Sequence, residues 1–139
     1  MKYLLDVNAL VALGFLQHEF HGRVANWVRK LALGGVPELA TCSITELGFV
    51  RVLVQAPQYG FTVGHARNVL LQLKSGNTLK FTFIPDDLDV SRLPAWVKSA
   101  KQTTDGHLAQ LARANGATLA TLDAKIPGAY LIPAQKLKS

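Results

Sequence analysis

The sequence predicts an α/β domain built on a mostly parallel sheet. Two observations carry that expectation. Short strand-like apolar runs alternate with amphipathic helical segments from one end of the 139-residue chain to the other, and Gly, Pro or Asn punctuates most of the junctions. Short strands separated by helices pack most simply as right-handed crossovers on a parallel sheet. A chain of this length buries roughly two-thirds of its unfolded surface, enough for one core without disulfide staples.

Residues 2–5 form an apolar run ending at Asp6 and read as a buried strand. Residues 8–15 read as a short helix. Residues 21–33 read as an amphipathic one, with Val24, Trp27, Val28 and Leu31 on one face. Gly34 and Gly35 stop it, and residues 39–42 are the second strand. Ser43 opens a helix through residue 54, closed by Pro57 and the Tyr59-Gly60 turn. Residues 62–73 repeat the helical period through Val63, Ala66, Val69, Leu70 and Leu73, until Gly76-Asn77. Apolar residues spread around both of these helices, with Phe49, Val50, Leu53, Val69 and Leu71 exceeding one face, so a homodimer built on the pair is expected. Residues 81–84 alternate β-formers and make a third strand before Pro85. Residues 86–101 read as a loop with one helical turn near 95–97. Residues 104–114 form a helix with Leu108, Leu111 and Ala112 inward, stopped by Asn115-Gly116. Residues 118–121 make a fourth strand and 130–132 a short edge strand. The chain is thus one domain over residues 1–133, with 134–139, including Lys136 and Lys138, as a flexible tail.

Composition narrows the function. Apolar residues at 49% and charged residues at 17% exclude disorder by composition. No apolar run approaches the roughly 18 residues of a membrane helix. Asp6 and Asn8 stand where a secretion signal would carry a basic flank, and the single Cys42 has no internal disulfide partner. A cytoplasmic protein with no membrane partner is expected. Fifteen Lys and Arg face nine Asp and Glu, a net charge of +6 that favours a polyanionic partner, nucleic acid first.

Four acidic residues stand out. Each has an ordinary structural role: Asp6 as a helix cap, Glu46 as the acid of an S-x-x-E capping box, Asp105 in a first helical turn, Asp123 in a turn. Taken together they have a second meaning. Asp6 and Asp123 close strands, while Glu46 and Asp105 open helices, so a parallel sheet brings all four to its carboxyl edge. Carboxylates gathered there repel unless a cation neutralises them. Hard divalent ions such as Mg²⁺ or Mn²⁺ do so with oxygen ligands, and phosphodiester hydrolysis is the chemistry such a site performs.

The same residues sit in four segments. These are Leu4-Leu5-Asp6-Val7-Asn8-Ala9-Leu10, Thr41-Cys42-Ser43-Ile44-Thr45-Glu46-Leu47-Gly48-Phe49-Val50-Arg51, Thr104-Asp105-Gly106-His107-Leu108-Ala109-Gln110-Leu111-Ala112 and Ala120-Thr121-Leu122-Asp123. In order, spacing and flanking helices the chain resembles the PIN-domain ribonucleases, and within them the VapC-type toxins of bacterial toxin–antitoxin pairs. The resemblance implies a PIN-like three-layer α/β/α sandwich and an acidic quartet of Asp6, Glu46, Asp105 and Asp123 that binds Mg²⁺ or Mn²⁺. It implies that Asn8 and Thr121 support the quartet by hydrogen bonding. It also implies an endoribonuclease toxin acting on RNA, a homodimer, and inhibition by a VapB-type antitoxin. The chain departs from the family pattern at Gly106, where relatives more often carry Ala, and after Asp123, where many carry a basic residue.

Other residues carry weaker signals. Arg51 stands five residues after Glu46, where it either holds phosphate or pairs with an acid at the surface. His18 and His21 are three apart, which is not the His-Glu-x-x-His zinc spacing, and read as exposed loop residues. Asp86, Asp87 and Asp89 lack the Gly and distal Glu of a calcium loop and read as a solvated loop. Trp27 reads as core, Trp96 as interface or lid, and Cys42 as a small buried apolar residue. Two rival functions differ in kind: a non-catalytic PIN-like RNA- or protein-binding module, and another α/β metal-dependent phosphoesterase. A phosphatase with an aspartyl nucleophile at Asp6 would want a second Asp at position 8, which is Asn8. Cleavage of RNA against a phosphomonoester in one Mg²⁺ buffer separates them.

Overall fold

The structure, a computed structural model, describes residues 1–135; Lys136 and Lys138 lie outside the described residues. Its elements are β1 (Lys2–Leu5), α1 (Val7–Gly14), α2 (His21–Ala32), β2 (Glu38–Cys42), α3 (Ser43–Gln55), α4 (Val63–Ser75), β3 (Lys80–Ile84), α5 (Thr103–Ala114), β4 (Ala117–Thr121) and β5 (Tyr130–Leu131). The strands form one sheet in the order β3-β2-β1-β4-β5, and every pairing is parallel. The chain builds outward from β1 to β3 on one side, then restarts on the other with β4. The carboxyl ends of β1 and β4 therefore flank the point where strand order reverses, the crevice in which open α/β sheets bind ligands.

Period-two alternation divides the core between the two faces of the sheet. Tyr3, Leu5 and Leu39 pack with α1, α2, α3 and α4, against Leu10, Val24, Trp27, Phe49, Leu53 and Leu70. Leu4, Ala40, Cys42 and Leu119 face the other way, onto Leu108, Leu111 and Ala112 of α5. Each Leu or Phe sealed into these layers contributes about 1.5–3 kcal/mol over its exposed state. Trp27 lies edge-on to Tyr3 at 5.0 Å and stacks on Tyr130 at 5.6 Å. Arg23 of α2 donates to the Ile132 carbonyl from Nε at 3.0 Å and Nη2 at 2.6 Å, which fastens the end of the fold to its beginning.

Several expectations change in detail. His21 is no exposed loop residue: it opens α2, and its Nδ1 donates to the Ala12 carbonyl at 2.7 Å. His18 is half-buried, and its Nδ1 accepts the Phe20 N–H at 3.0 Å. Trp96 is half-buried and packs against the α5 side of the core. The expected helical turn near 95–97 is one hydrogen-bonded turn, Val97 N–H to Pro94 carbonyl at 3.1 Å, between 3₁₀ turns at Val90–Arg92 and Ala100–Gln102. Asp86 is not merely solvated, since His107 Nε2 meets its Oδ2 at 2.5 Å. Of the expected apolar surplus, Phe49 and Leu53 are fully buried and Leu71 is exposed, at 52%, where it is joined by Leu47 and Val63, at 68% and 57%.

Two glycines mark close approaches. A Cβ on Gly48 of α3 would stand 2.5 Å from Val7 Cγ2 of α1, so only Gly lets these helices cross here. A Cβ on Gly106 would overlap Val97 Cγ2, in the turn that covers the first turn of α5. That overlap accounts for a glycine inside α5: helix propensity yields to packing. Gly106→Ala is therefore expected to destabilise the chain by about 1–3 kcal/mol despite its better propensity. Gly64→Ala, where the added methyl meets nothing within 4 Å, should stabilise it by about 0.5–1 kcal/mol. Urea denaturation midpoints of the two variants check both signs.

Candidate active site

Asp6 is the first residue beyond β1 and caps α1, its Oδ1 accepting the Ala9 N–H at 2.9 Å. Its other oxygen, Oδ2, accepts the Thr121 hydroxyl at 2.5 Å. Thr121 ends β4, the strand beside β1, and its Oγ1 also accepts the Asp123 N–H at 3.0 Å. Asp6 is 7% exposed. Burial pushes its carboxyl above the usual carboxylate range, the hydrogen bonds from Thr121 and Ala9 offset part of this, and the charges of Asp105 and Asp123 add to it.

Asp105 lies in the first turn of α5. Its carboxyl is raised as well, by burial first and by the charge of Asp123 second. Asp123 is exposed, with Oδ1 accepting the Lys125 N–H at 2.9 Å. Asp105 and Asp123 thus lie near enough to Asp6, at the switch point, for their charges to bear on it. Strand parity explains their company: Asp6 follows β1 in the phase of Leu4, and Thr121 ends β4 in the phase of Leu119, both on the face that α5 covers.

Glu46 is placed differently. It stands in the first turn of α3, on the opposite layer, and its Oε2 accepts the Thr41 hydroxyl at 2.5 Å. Thr41 has the phase of Leu39, toward the four-helix face. The same Oε2 meets Lys74 Nζ at 2.5 Å, with both side chains 23% exposed. Thr41 and Lys74 were not legible as site residues. Thr41 has one sequence signal, standing near the end of β2 as Thr121 does on β4. Lys74 has none until α3 and α4 are paired antiparallel.

The remaining candidates line two approaches. Asn8 shares a cleft of about 500 Å³ with Asp123, His18, Glu19, Phe20 and Leu122. Arg51 lines an apolar groove of about 530 Å³ between α3 and α4, together with Glu46, Leu47, Val63, Arg67 and Leu71. Arg51 makes no ion pair among the described residues.

Among the described residues no three His, Cys, Asp or Glu side chains are arranged to hold a metal ion by themselves. The donor set nevertheless fits a hard divalent cation. Mg²⁺ keeps several waters and needs only one or two carboxylates. Each Asp6 oxygen retains a lone pair beyond the hydrogen bond it accepts, and the mutual repulsion of Asp6, Asp105 and Asp123 is what such a charge relieves.

Comparison with known proteins bears on this geometry. The family model described as the PIN domain matches residues 3–130. The chain is 36% identical to Ribonuclease VapC38 of Mycobacterium tuberculosis, across 98% of this chain and 93% of that protein. It is 37% identical to Ribonuclease VapC29 of the same organism, across 88% and 86%. Among solved structures, VapBC2 from Rickettsia felis bound to a DNA fragment from their promoter superposes with a TM-score of 0.55 at 20% identity, over 94% of this chain and 97% of that one. PAE2754 from Pyrobaculum aerophilum does so with a TM-score of 0.56 at 21% identity, over 95% and 84%. These two likenesses show the same α/β fold.

The raised Asp105 carboxyl gives the metal-free protein a signed pH dependence. A group whose folded pKa lies above its unfolded value supports folding at low pH and loses that support as pH rises through the folded value. Near neutral pH the ionised Asp105 therefore opposes folding, and Asp105→Asn is expected to melt above the native chain. That advantage should shrink as pH falls into the acid range where the native carboxyl, raised above its unfolded value, takes up its proton. Thermal melts of both proteins across the range, in chelator, check the sign.

Proposed function

The chain belongs to the PIN-domain family, and from that premise we propose that it is a Mg²⁺- or Mn²⁺-dependent endoribonuclease, the toxin of a pair whose VapB-type antitoxin inhibits it. One observation carries the reading: the charges of Asp105 and Asp123 bear on Asp6 at the switch point of a parallel sheet, in a chain of net charge +6. The curated relatives named as ribonucleases, matched over most of their length, support it.

In this reading Asp6, with Asp105 and Asp123 near it, would hold the ion together with waters, and Glu46 stands at the same sheet edge. When bound, a divalent ion supplies Lewis-acid polarisation of a phosphate oxygen and a water of lowered pKa. The chain supplies the rest. Thr121 and the Ala9 N–H fix the Asp6 carboxylate, so its free lone pairs are aimed before substrate arrives. Asn8 offers an amide to the nucleotide entering the cleft beside Asp123, and Arg51 stands one turn and a residue beyond Glu46 on α3. RNA with unstacked bases is the substrate such a shallow cleft admits. The domain spans residues 1–133, and the protein works in the cytoplasm.

The exposed Leu47, Val63 and Leu71 mark α3 and α4 as the faces of a two-fold homodimer. Light scattering should report two chains per particle, and Leu71→Glu should return it to one; a native single chain at micromolar concentration overturns the dimer. For activity, Asp6→Asn is expected to lower Mn²⁺-dependent RNA cleavage by about 100-fold or more while the fold remains. Undiminished cleavage in excess chelator, or by a correctly folded Asp6→Asn chain, overturns the ribonuclease reading.

A further inference from the structure

Beside α5 lies a cavity of about 400 Å³ that none of the chemistry above uses. Two of its walls begin at acids of the sheet edge. One is α5, whose first turn holds Asp105 and which contributes Ala109, Gln110 and Arg113, spaced to share one helical face. The other is the segment after Asp123, which brings Pro127 and Gly128 to the cavity. Trp96 lines it too, and its Cη2 lies 3.7 Å from where a Cβ on Gly106, the residue after Asp105, would stand. The start of β4 completes the enclosure. β5 pairs only with Ala120 and Thr121, so the outer edge of β4 from Ala117 to Leu119 has no strand beside it and borders the cavity.

The polar groups here are unspent. Among the described residues no acid lines the cavity and Arg113 has no acid partner. The side chains of Trp96, Gln110 and Thr118 bond to no other protein group among those residues. An indole, a guanidinium and an amide around one space match the parts of a nucleotide: a ring that stacks on a base, a fork for two phosphate oxygens, and a donor and acceptor for a base edge. We propose that this cavity seats one nucleotide of a single-stranded RNA, its base against Trp96 and its phosphate on Arg113. The proposal rests on the ribonuclease reading and adds a grip on the strand that does not involve the carboxylates. Arg113 follows Asp105 along α5 by about 12 Å, so the strand held here runs on past the bond at the acids. A peptide is the poorer occupant, because the open edge of β4 runs only from Ala117 to Leu119, short of the about five or six residues of a usual strand.

Binding of a fluorescein-labelled RNA decamer of mixed sequence to the full chain, in excess chelator so that no bond is cut, tests the subsite. The native chain should bind it without metal. Arg113→Gln, Trp96→Leu and Ala109→Leu, which fills the cavity, should each weaken binding by about ten-fold, and Trp96→Phe by less than about three-fold. Arg29→Gln removes the same charge from an exposed site on α2 and should change affinity by less than about two-fold. RNA should also quench the indole emission of the native chain but not of Trp96→Phe, whose remaining Trp27 is 4% exposed. Native affinity in Arg113→Gln, a loss no greater than that in Arg29→Gln, quenching that survives Trp96→Phe, or RNA bound only when metal is present overturns the subsite, while Mn²⁺-dependent cleavage by the native chain keeps the ribonuclease reading. A native chain that neither binds nor cleaves RNA overturns both together.

Discussion

The carboxyl edge depends on the hydrogen bond from Thr121 to Asp6. A buried carboxylate is costly unless its oxygens are occupied, and this one is occupied from two directions, by a strand hydroxyl and by a helix N–H. The same group therefore joins β1 to β4, starts α1, and stands as a charge beside Asp105 and Asp123. Its position follows from register alone: Leu5 pairs with Ala120, so the next residue of each strand, Asp6 and Thr121, must lie side by side. The core layers supply the stability against which that strained edge is held.

The sheet also sorts the acids. Alternation along a strand is usually read as inside against outside, but in a sheet covered on both faces it selects between two interiors. Asp6 and Thr121 fall in the phase that α5 covers, Thr41 in the phase that the other helices cover. Four carboxylates at one edge thus divide into a trio whose charges bear on one another and one member neutralised by Lys74. Repulsion among the trio is what a metal ion relieves; the fourth is already relieved by the chain.

Much of this was legible in the sequence, because its strands and helices differ sharply in period and are separated by strong breakers. All five strands and five helices lie within three residues of where patterning puts them, and the four acids reach the edge that topology assigns. What escaped was pairwise. On α3, Phe49 and Leu53 looked like surplus apolar surface because a helical wheel does not show that two neighbouring helices and a sheet share that arc. Lys74 looked like any last-turn lysine, since its partner lies 28 residues away on another helix. Gly106 looked like a weak point in α5 because the turn that needs its missing side chain has no regular pattern of its own.

The contact between Asp6 and Thr121 closes a loop of 115 residues, and Arg23 reaches Ile132 across 109. Helical hairpins can form while such a chain is still being made, but the sheet's central strand must wait for its second neighbour. During synthesis β1 is half-paired until β4 has left the ribosome, after α1 to α5 have all been made. Truncated or stalled products therefore lack Thr121 and Asp123, and those stopped before α5 lack Asp105 as well. An edge built in this order is never half-made: Asp6 waits without its hydroxyl partner until β4 arrives, and the site comes together in one step.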